Sequence, residues 1–306
     1  MMTVSRKTVF TVAAAALGLA CVALVFELAV LARSWWDDDE DRGPPPRAGA
    51  RVVILCAGDS HTQGVGARRG RGYPGRLAAM LEKERPGYYD VINLGAGGAN
   101  TSQAVESVRR WTAHYPRRAS VVIFNAGFNN VWNLRGASIL PEDLRGAPDD
   151  VLYRRVLAES ATWRLGQITR RRIEQFLGDL ERKKDEHRGL IAWEGEGERA
   201  FLTRWIVRDL ENLADLAEAG GAAVALLNYW NVCAWQSAPY ESFAATGRAV
   251  AIDVTHFGIE PWTPALEKKL TTDDRHPNEE GYARIAGIVH RALDGRGLLD
   301  APAVTE

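Results

Sequence analysis

The chain is poor in the residues that staple or ligate. Its 306 residues include three cysteines, at 21, 56 and 233, with no regular spacing, so neither a disulfide framework nor a thiolate zinc site is encoded. Cys21 falls in an apolar segment and Cys56 in a strand, where both read as packed thiols; only Cys233 lies in an expected loop. An excess of charge of one sign is equally lacking. A net charge of -1 and a pI near 6.6 exclude the basic footprint of a nucleic-acid binder. No internal repeat is present, which excludes a solenoid or propeller. The one dense acidic run, Asp37-Asp-Asp-Glu-Asp41, has no histidine beside it to complete a metal site. Gly70-Arg-Gly72-Tyr-Pro-Gly75 matches the dinucleotide spacing, but it does not directly follow a strand and contains Pro74, so it reads as a turn. Nothing points to a metal or an organic cofactor.

What is present begins with residues 8–32, an almost unbroken apolar run. About 20 apolar residues span a bilayer, whereas a cleavable signal has a core of about 7–15. The length favours an uncleaved anchor, with Glu27 its one charge. Arg6 and Lys7 precede the run, and the acidic stretch dilutes Arg33 after it. That bias predicts a cytoplasmic tail over 1–7 and a domain outside the cytoplasm. Cleavage after Val30-Leu31-Ala32, giving a secreted or periplasmic protein, is the competing reading. Residues 33–50, acidic and then proline-rich, read as a disordered spacer.

From residue 51 strands alternate with helices. Apolar strand patterns occupy 52–57, 89–94, 120–125, 222–228 and 249–254. Helical spacing marks 73–84, 101–115 and 278–293. This order implies crossover connections, a parallel sheet and helices on both faces, with ligands outside the carboxyl ends of the strands. A helical excursion over about 131–221 interrupts the pattern. It leaves directly after the third strand, which suits a cap over the strand ends.

Four short blocks fall at or beyond those strand ends. The first strand runs into Gly58-Asp59-Ser60, presenting a hydroxyl at the sheet edge. Near the other end, Asp273-Asp-Arg-His276-Pro277 sets a carboxylate three residues before an imidazole. Together these can supply nucleophile, base and orienting acid for acyl transfer. The glycine block Asn93-Leu-Gly-Ala-Gly-Gly98-Ala-Asn100 can turn a backbone amide toward a ligand. Asn125-Ala-Gly127-Phe-Asn129-Asn130 adds a carboxamide, and two such donors are what a tetrahedral oxyanion requires.

With these four blocks in this order, the chain resembles the SGNH, or GDSL-type, hydrolases over roughly 51–130 and 222–296. The resemblance implies a three-layer α/β/α sandwich with a flavodoxin-like sheet and a domain over 51–298. It implies Ser60 as nucleophile, His276 as base and Asp273 as the orienting acid, with Asp274 its competitor by proximity. The oxyanion hole would comprise the Ser60 and Gly98 amides and the Asn129 side chain. Two departures stand out. Asn130 occupies a position where the family commonly has aspartate, and His61 follows the serine in place of a small or apolar residue. A side chain adjacent to Ser60 on a tight turn is expected to point away, toward a loop or a substrate contact.

The substrate is less legible. Trp132, Trp230, Trp235, Tyr240 and Trp262 follow strands, where they can stack on sugar rings, line an acyl pocket or simply fill loop cores. Arg154, Arg155, Arg164 and Arg170-Arg-Arg172 read as a solvated helical face or as a lid for anionic groups. The leading expectation is a membrane-anchored esterase acting on an acyl ester of a glycan or lipid. An acyltransferase on a surface polysaccharide and a non-catalytic glycan-binding protein are the alternatives.

Overall fold

A computed structural model of the chain describes residues 22, 25, 43–115, 118–136, 196–231, 234–273 and 275–300. Its elements run β1 (Val52–Gly58), α1 (Ser60–Gln63), α2 (Tyr73–Glu84), β2 (Tyr89–Gly95), α3 (Thr101–His114), β3 (Val121–Asn125), α4 (Phe128–Gly136), α5 (Glu196–Gly220), β4 (Ala223–Leu227), α6 (Ala234–Ala244), β5 (Val250–Ile252), α7 (Pro264–Leu270) and α8 (Glu279–Asp294), with a 3-10 turn at Thr255–Gly258. The five strands form one parallel sheet in the order β2-β1-β3-β4-β5. The order reverses between β1 and β3, which is where such sheets open a crevice for ligands.

Every residue of β1 and β3 is buried, as expected where helices cover both faces of a parallel sheet. On one face Val52, Ile54 and Cys56 pack with Tyr73, Leu77 and Leu81 of α2 and with Tyr282, Ile285, Val289 and Leu293 of α8. The alternate residues Val53, Leu55 and Ala57 are equally buried, and α3 and α5 pack together on that side. Burial of the Cys56 thiol raises its pKa far above the ordinary range. This cysteine is therefore core and not a nucleophile.

The five strands and the helices expected over 73–84, 101–115 and 278–293 agree with the sequence pattern to within a residue or two. Residues 234–244 and 264–270 are helices that the pattern did not mark. The second half of the expected 131–221 insertion is part of the sandwich. Leu202, Ile206, Leu210 and Leu213 of α5 are wholly buried and line the crossover from β3 to β4. At the start of the insertion, Val131 and Asn133 are buried too. The stretch between, with Arg154 to Arg172, lies outside the described residues.

The end of the expected spacer is also ordered. Its three prolines have no N–H to donate, and carbonyls of the segment accept from the body of the domain. Trp111 Nε1 donates to Pro44 O at 3.0 Å, and the Tyr115 hydroxyl donates to Gly43 O at 2.9 Å. The Arg47 amide donates to the Asp90 carboxylate at 2.6 Å. Residues 43–50 are thereby tied to α3 and to the Asp90 side chain of edge strand β2. The anchor expected over 8–32, apart from Val22 and Val25, lies outside the described residues. Among those described, no helix is long and apolar enough to cross a membrane.

Candidate active site

β1 ends at Gly58, which pairs with Asn125 at the end of β3. A Cβ on Gly58 would sit 2.0 Å from Asn125 O, so only glycine fits before the nucleophile. Asp59 follows as the N-cap of α1, its Oδ1 accepting the His61 amide at 2.9 Å. That cap makes Ser60 the first residue of the short helix, a position whose amide has no partner within the helix.

His276 reaches Ser60 from a turn closed at its base by a Thr271–Pro277 bridge. Thr272 N donates to His276 O at 2.8 Å and Arg275 N to Thr272 O at 2.9 Å. Trp230 Nε1 donates to Arg275 O at 3.2 Å, holding a residue whose φ is +64°. Immediately after the turn, Asn278 caps α8 by accepting from the Glu280 and Gly281 amides. The outcome is a His276 Nε2 to Ser60 Oγ distance of 2.8 Å across 216 residues of sequence. That is a nucleophile within reach of its base.

The two other blocks lie against the same helix. A Cβ on Gly95 would meet Gln63 N at 2.3 Å, and one on Gly97 would meet the Gln63 carboxamide at 2.9 Å. Gly98 has φ +80° and open space where a Cβ would be. Asn133 Nδ2 donates to its carbonyl at 3.0 Å and to Asn129 O at 2.8 Å. Asn129 Nδ2 donates to Asp59 Oδ2 at 3.3 Å and to Ala99 O at 3.2 Å. Ser60, His276 and Asn129 are thus brought to one place.

Other expectations fare differently. Asp273 is in the right turn but exposed, and its carboxylate makes no hydrogen bond among the described residues. Asp274 lies outside those residues, as do the side chains of Trp132 and Trp235. Trp230 is only 3% exposed and stacks on Phe257 with ring centres 5.3 Å apart. Because its faces are packed and its N–H holds the His276 turn, Trp230 is scaffold and not a sugar platform. Tyr240 is buried as well, its hydroxyl donating to Ala126 O at 2.8 Å. Trp262 is half-buried and stacks on His256 at 5.1 Å.

His61 does not point away. Its ring sits edge-on to Tyr229 at 4.8 Å and 5.0 Å from that of His276. Both ring nitrogens are buried without a hydrogen-bond partner among the described residues. Packing explains the reversal: the ring lies against Tyr229, just beyond β4, and against His276.

Tyr229, Asn133 and Asp59 were missed as site residues. Asn133 carried a signal, since it lies four residues after Asn129 on what proves to be one helix. Tyr229 carried none, because its partner is 170 residues away.

A model of the GDSL-like lipase/acylhydrolase family matches residues 56–284. The chain belongs to this family. It is accordingly a carboxylic ester hydrolase of SGNH type. No curated protein matches the sequence. Among solved structures it is similar to a GDSL-like lipase candidate from Parabacteroides merdae, at TM-score 0.50 and 13% identity over 83% of this chain and 100% of that one. It is also similar to the psychrotrophic esterase EstA from Pseudoalteromonas sp., at 0.48 and 14% over 80% and 97%. A third is the acetylxylan esterase Axe2 from Geobacillus stearothermophilus, at 0.47 and 14% over 80% and 95%. At this identity the Parabacteroides likeness bears on the fold, and it agrees with the sheet described above.

The Asn130 departure has a local cause. Asp209, 2% exposed, accepts from the Thr101 hydroxyl and from Ser102 Oγ at 2.7 Å. A hydroxyl has one proton, so the Thr101 oxygen can only accept from its next neighbour. Asn130 Nδ2 donates to it at 2.8 Å, while Asn130 Oδ1 accepts the Thr101 amide at 3.0 Å. An aspartate could make the second bond but not the first. Asn130→Asp should destabilise the protein by about 1–3 kcal/mol, read from its urea unfolding midpoint. A midpoint equal to that of the parent would contradict the donor argument.

Proposed function

We propose that this enzyme is a membrane-anchored, extracytoplasmic serine esterase that removes an acyl group, acetyl among the candidates, from a glycan or lipid. The observation that carries the chemistry is the 2.8 Å contact between Ser60 Oγ and His276 Nε2, with the Asn129 carboxamide beside it. In this reading His276 Nε2 takes the hydroxyl proton as Ser60 Oγ bonds to the ester carbon. The oxyanion is held by the Ser60 and Gly98 amides and Asn129. Collapse expels the alcohol, which takes the proton from His276, and water then repeats the sequence to release the acid. Donors aimed at the oxyanion act chiefly in the transition state, where they lower the barrier.

Asp273 is assigned the orienting role. Catalytic hydrogen bonds are often loose in a free enzyme and tighten once substrate is bound, so an exposed carboxylate in the imidazole's own turn is compatible with the role. The location rests on the sequence of residues 1–41: a span-length apolar run, two basic residues before it and an acidic run after it.

A fluorophosphonate should label the protein on Ser60, located by mass spectrometry, and Ser60→Ala should abolish labelling. An adduct elsewhere would remove Ser60 from the mechanism. Asp273→Asn should lower kcat by about a hundredfold or more, with Asp274→Asn near the parent value; the reverse pattern transfers the role to Asp274. Alkaline phosphatase fused after residue 50 should be active and a cytoplasmic reporter silent. The opposite result inverts the topology, and a mature chain starting at Arg33 replaces the anchor with a cleaved signal.

A further inference from the structure

We infer that the Tyr229 hydroxyl is a positioning group that keeps the Asn129 carboxamide available to the oxyanion; this rests on the reading of Asn129 as an oxyanion donor. Tyr229 is 1% exposed and Asp59 fully buried. The Tyr229 hydroxyl donates to Asp59 Oδ2 at 2.5 Å and accepts the Phe128 amide at 3.0 Å. One oxygen therefore ties the carboxylate preceding Ser60 to the backbone preceding Asn129.

The competition takes place at Asp59 Oδ2. Asn129 Nδ2 approaches that same oxygen but only to 3.3 Å, and its other contact, Ala99 O, is at 3.2 Å. Both are long for N–H···O bonds, which usually fall near 2.9–3.0 Å. A carboxamide proton gripped by a buried carboxylate would be lost to the oxyanion, since charge-assisted bonds are about twice as strong as neutral ones. The tyrosine proton takes one lone pair of that oxygen and draws on its charge, which weakens the pull on the Asn129 proton. Asp59 Oδ1 is engaged separately by the His61 amide at 2.9 Å. The carboxylate is thus anchored from two sides and leaves Asn129 with weak contacts, which it can exchange for a developing negative charge.

Tyr229→Phe removes the hydroxyl and keeps the ring that packs on His61 and Phe128. In the full chain, with p-nitrophenyl acetate as substrate, it should lower kcat about tenfold while KM stays within about twofold. Asn129→Ala should lower kcat about a hundredfold. The double variant should be no slower than Asn129→Ala within about threefold, because both changes remove the same contribution. If Asn129→Ala retains the parent kcat, the oxyanion reading itself fails. If Asn129→Ala is slow but Tyr229→Phe is not, or the two losses multiply, that reading stands and the inference about Tyr229 is overturned. Should Tyr229→Phe not fold, 3-fluorotyrosine at position 229 keeps the ring and donates more strongly. It should give a kcat at or above the parent, and a fall at constant KM would overturn the inference.

Discussion

The site depends on a buried carboxylate. Asp59 has no exposed surface, and an ionised group taken out of water is tolerated only if donors surround it. Those donors come from three segments far apart in sequence: the His61 amide, the Tyr229 hydroxyl and the Asn129 carboxamide. Satisfying one carboxylate therefore draws the ends of β1, β3 and β4 together. Ser60 is the next residue, so the nucleophile is placed by the same constraint. The tripeptide before and including Ser60 needs each of its members for a different reason: glycine for the approach to Asn125, aspartate for this convergence, serine for the chemistry.

A second buried carboxylate does comparable work one layer away. Asp209 on α5 gathers Thr101 and Ser102 from the start of α3, and Trp205 Nε1 donates to Ser102 Oγ at 2.7 Å. Through Asn130 this network reaches the loop that carries Asn129. The start of α3 is held independently by a capping box in which Asn100 and Gln103 exchange hydrogen bonds. The glycine block and the asparagine block thus share one polar foundation. The histidine turn is fastened separately, through Trp230, the Thr271–Pro277 bridge and a Tyr282 hydroxyl that donates to Val65 O at 2.8 Å.

Much of this architecture was legible in order along the chain. Strands buried on both faces are continuous apolar runs, and Val52–Gly58 and Val121–Asn125 read as such. The four blocks were legible because each is local: a cap, a turn or a close approach that a few adjacent residues encode. The aromatic residues were not legible in this way. Trp230, Tyr240 and Trp262 all follow strands, yet Trp230 and Tyr240 are buried supports and Trp262 packs on His256. A large side chain carries the same letters whether it faces a ligand or a neighbouring loop. The inward turn of His61 escaped for a related reason, since its direction is decided by Tyr229 and His276 and not by Ser60 beside it.

Local sequence specified the five strands, their parallel sheet and the residue types that could perform acyl transfer, because periodicity, caps and glycine turns act over a few residues. Tertiary structure decided which of those residues meet. It joined Ser60 to His276 and brought Tyr229 to Asp59. It also assigned α5 to the sandwich, although its apolar stripe would have served a cap equally well. An amphipathic helix encodes that it has a face to bury, not the partner it buries against. Hydrogen bonds such as those of Asp59 and Asp209 join groups 70 to 170 residues apart. No local pattern can carry that information, because the pairing exists only after the sheet has set the distances between strand ends.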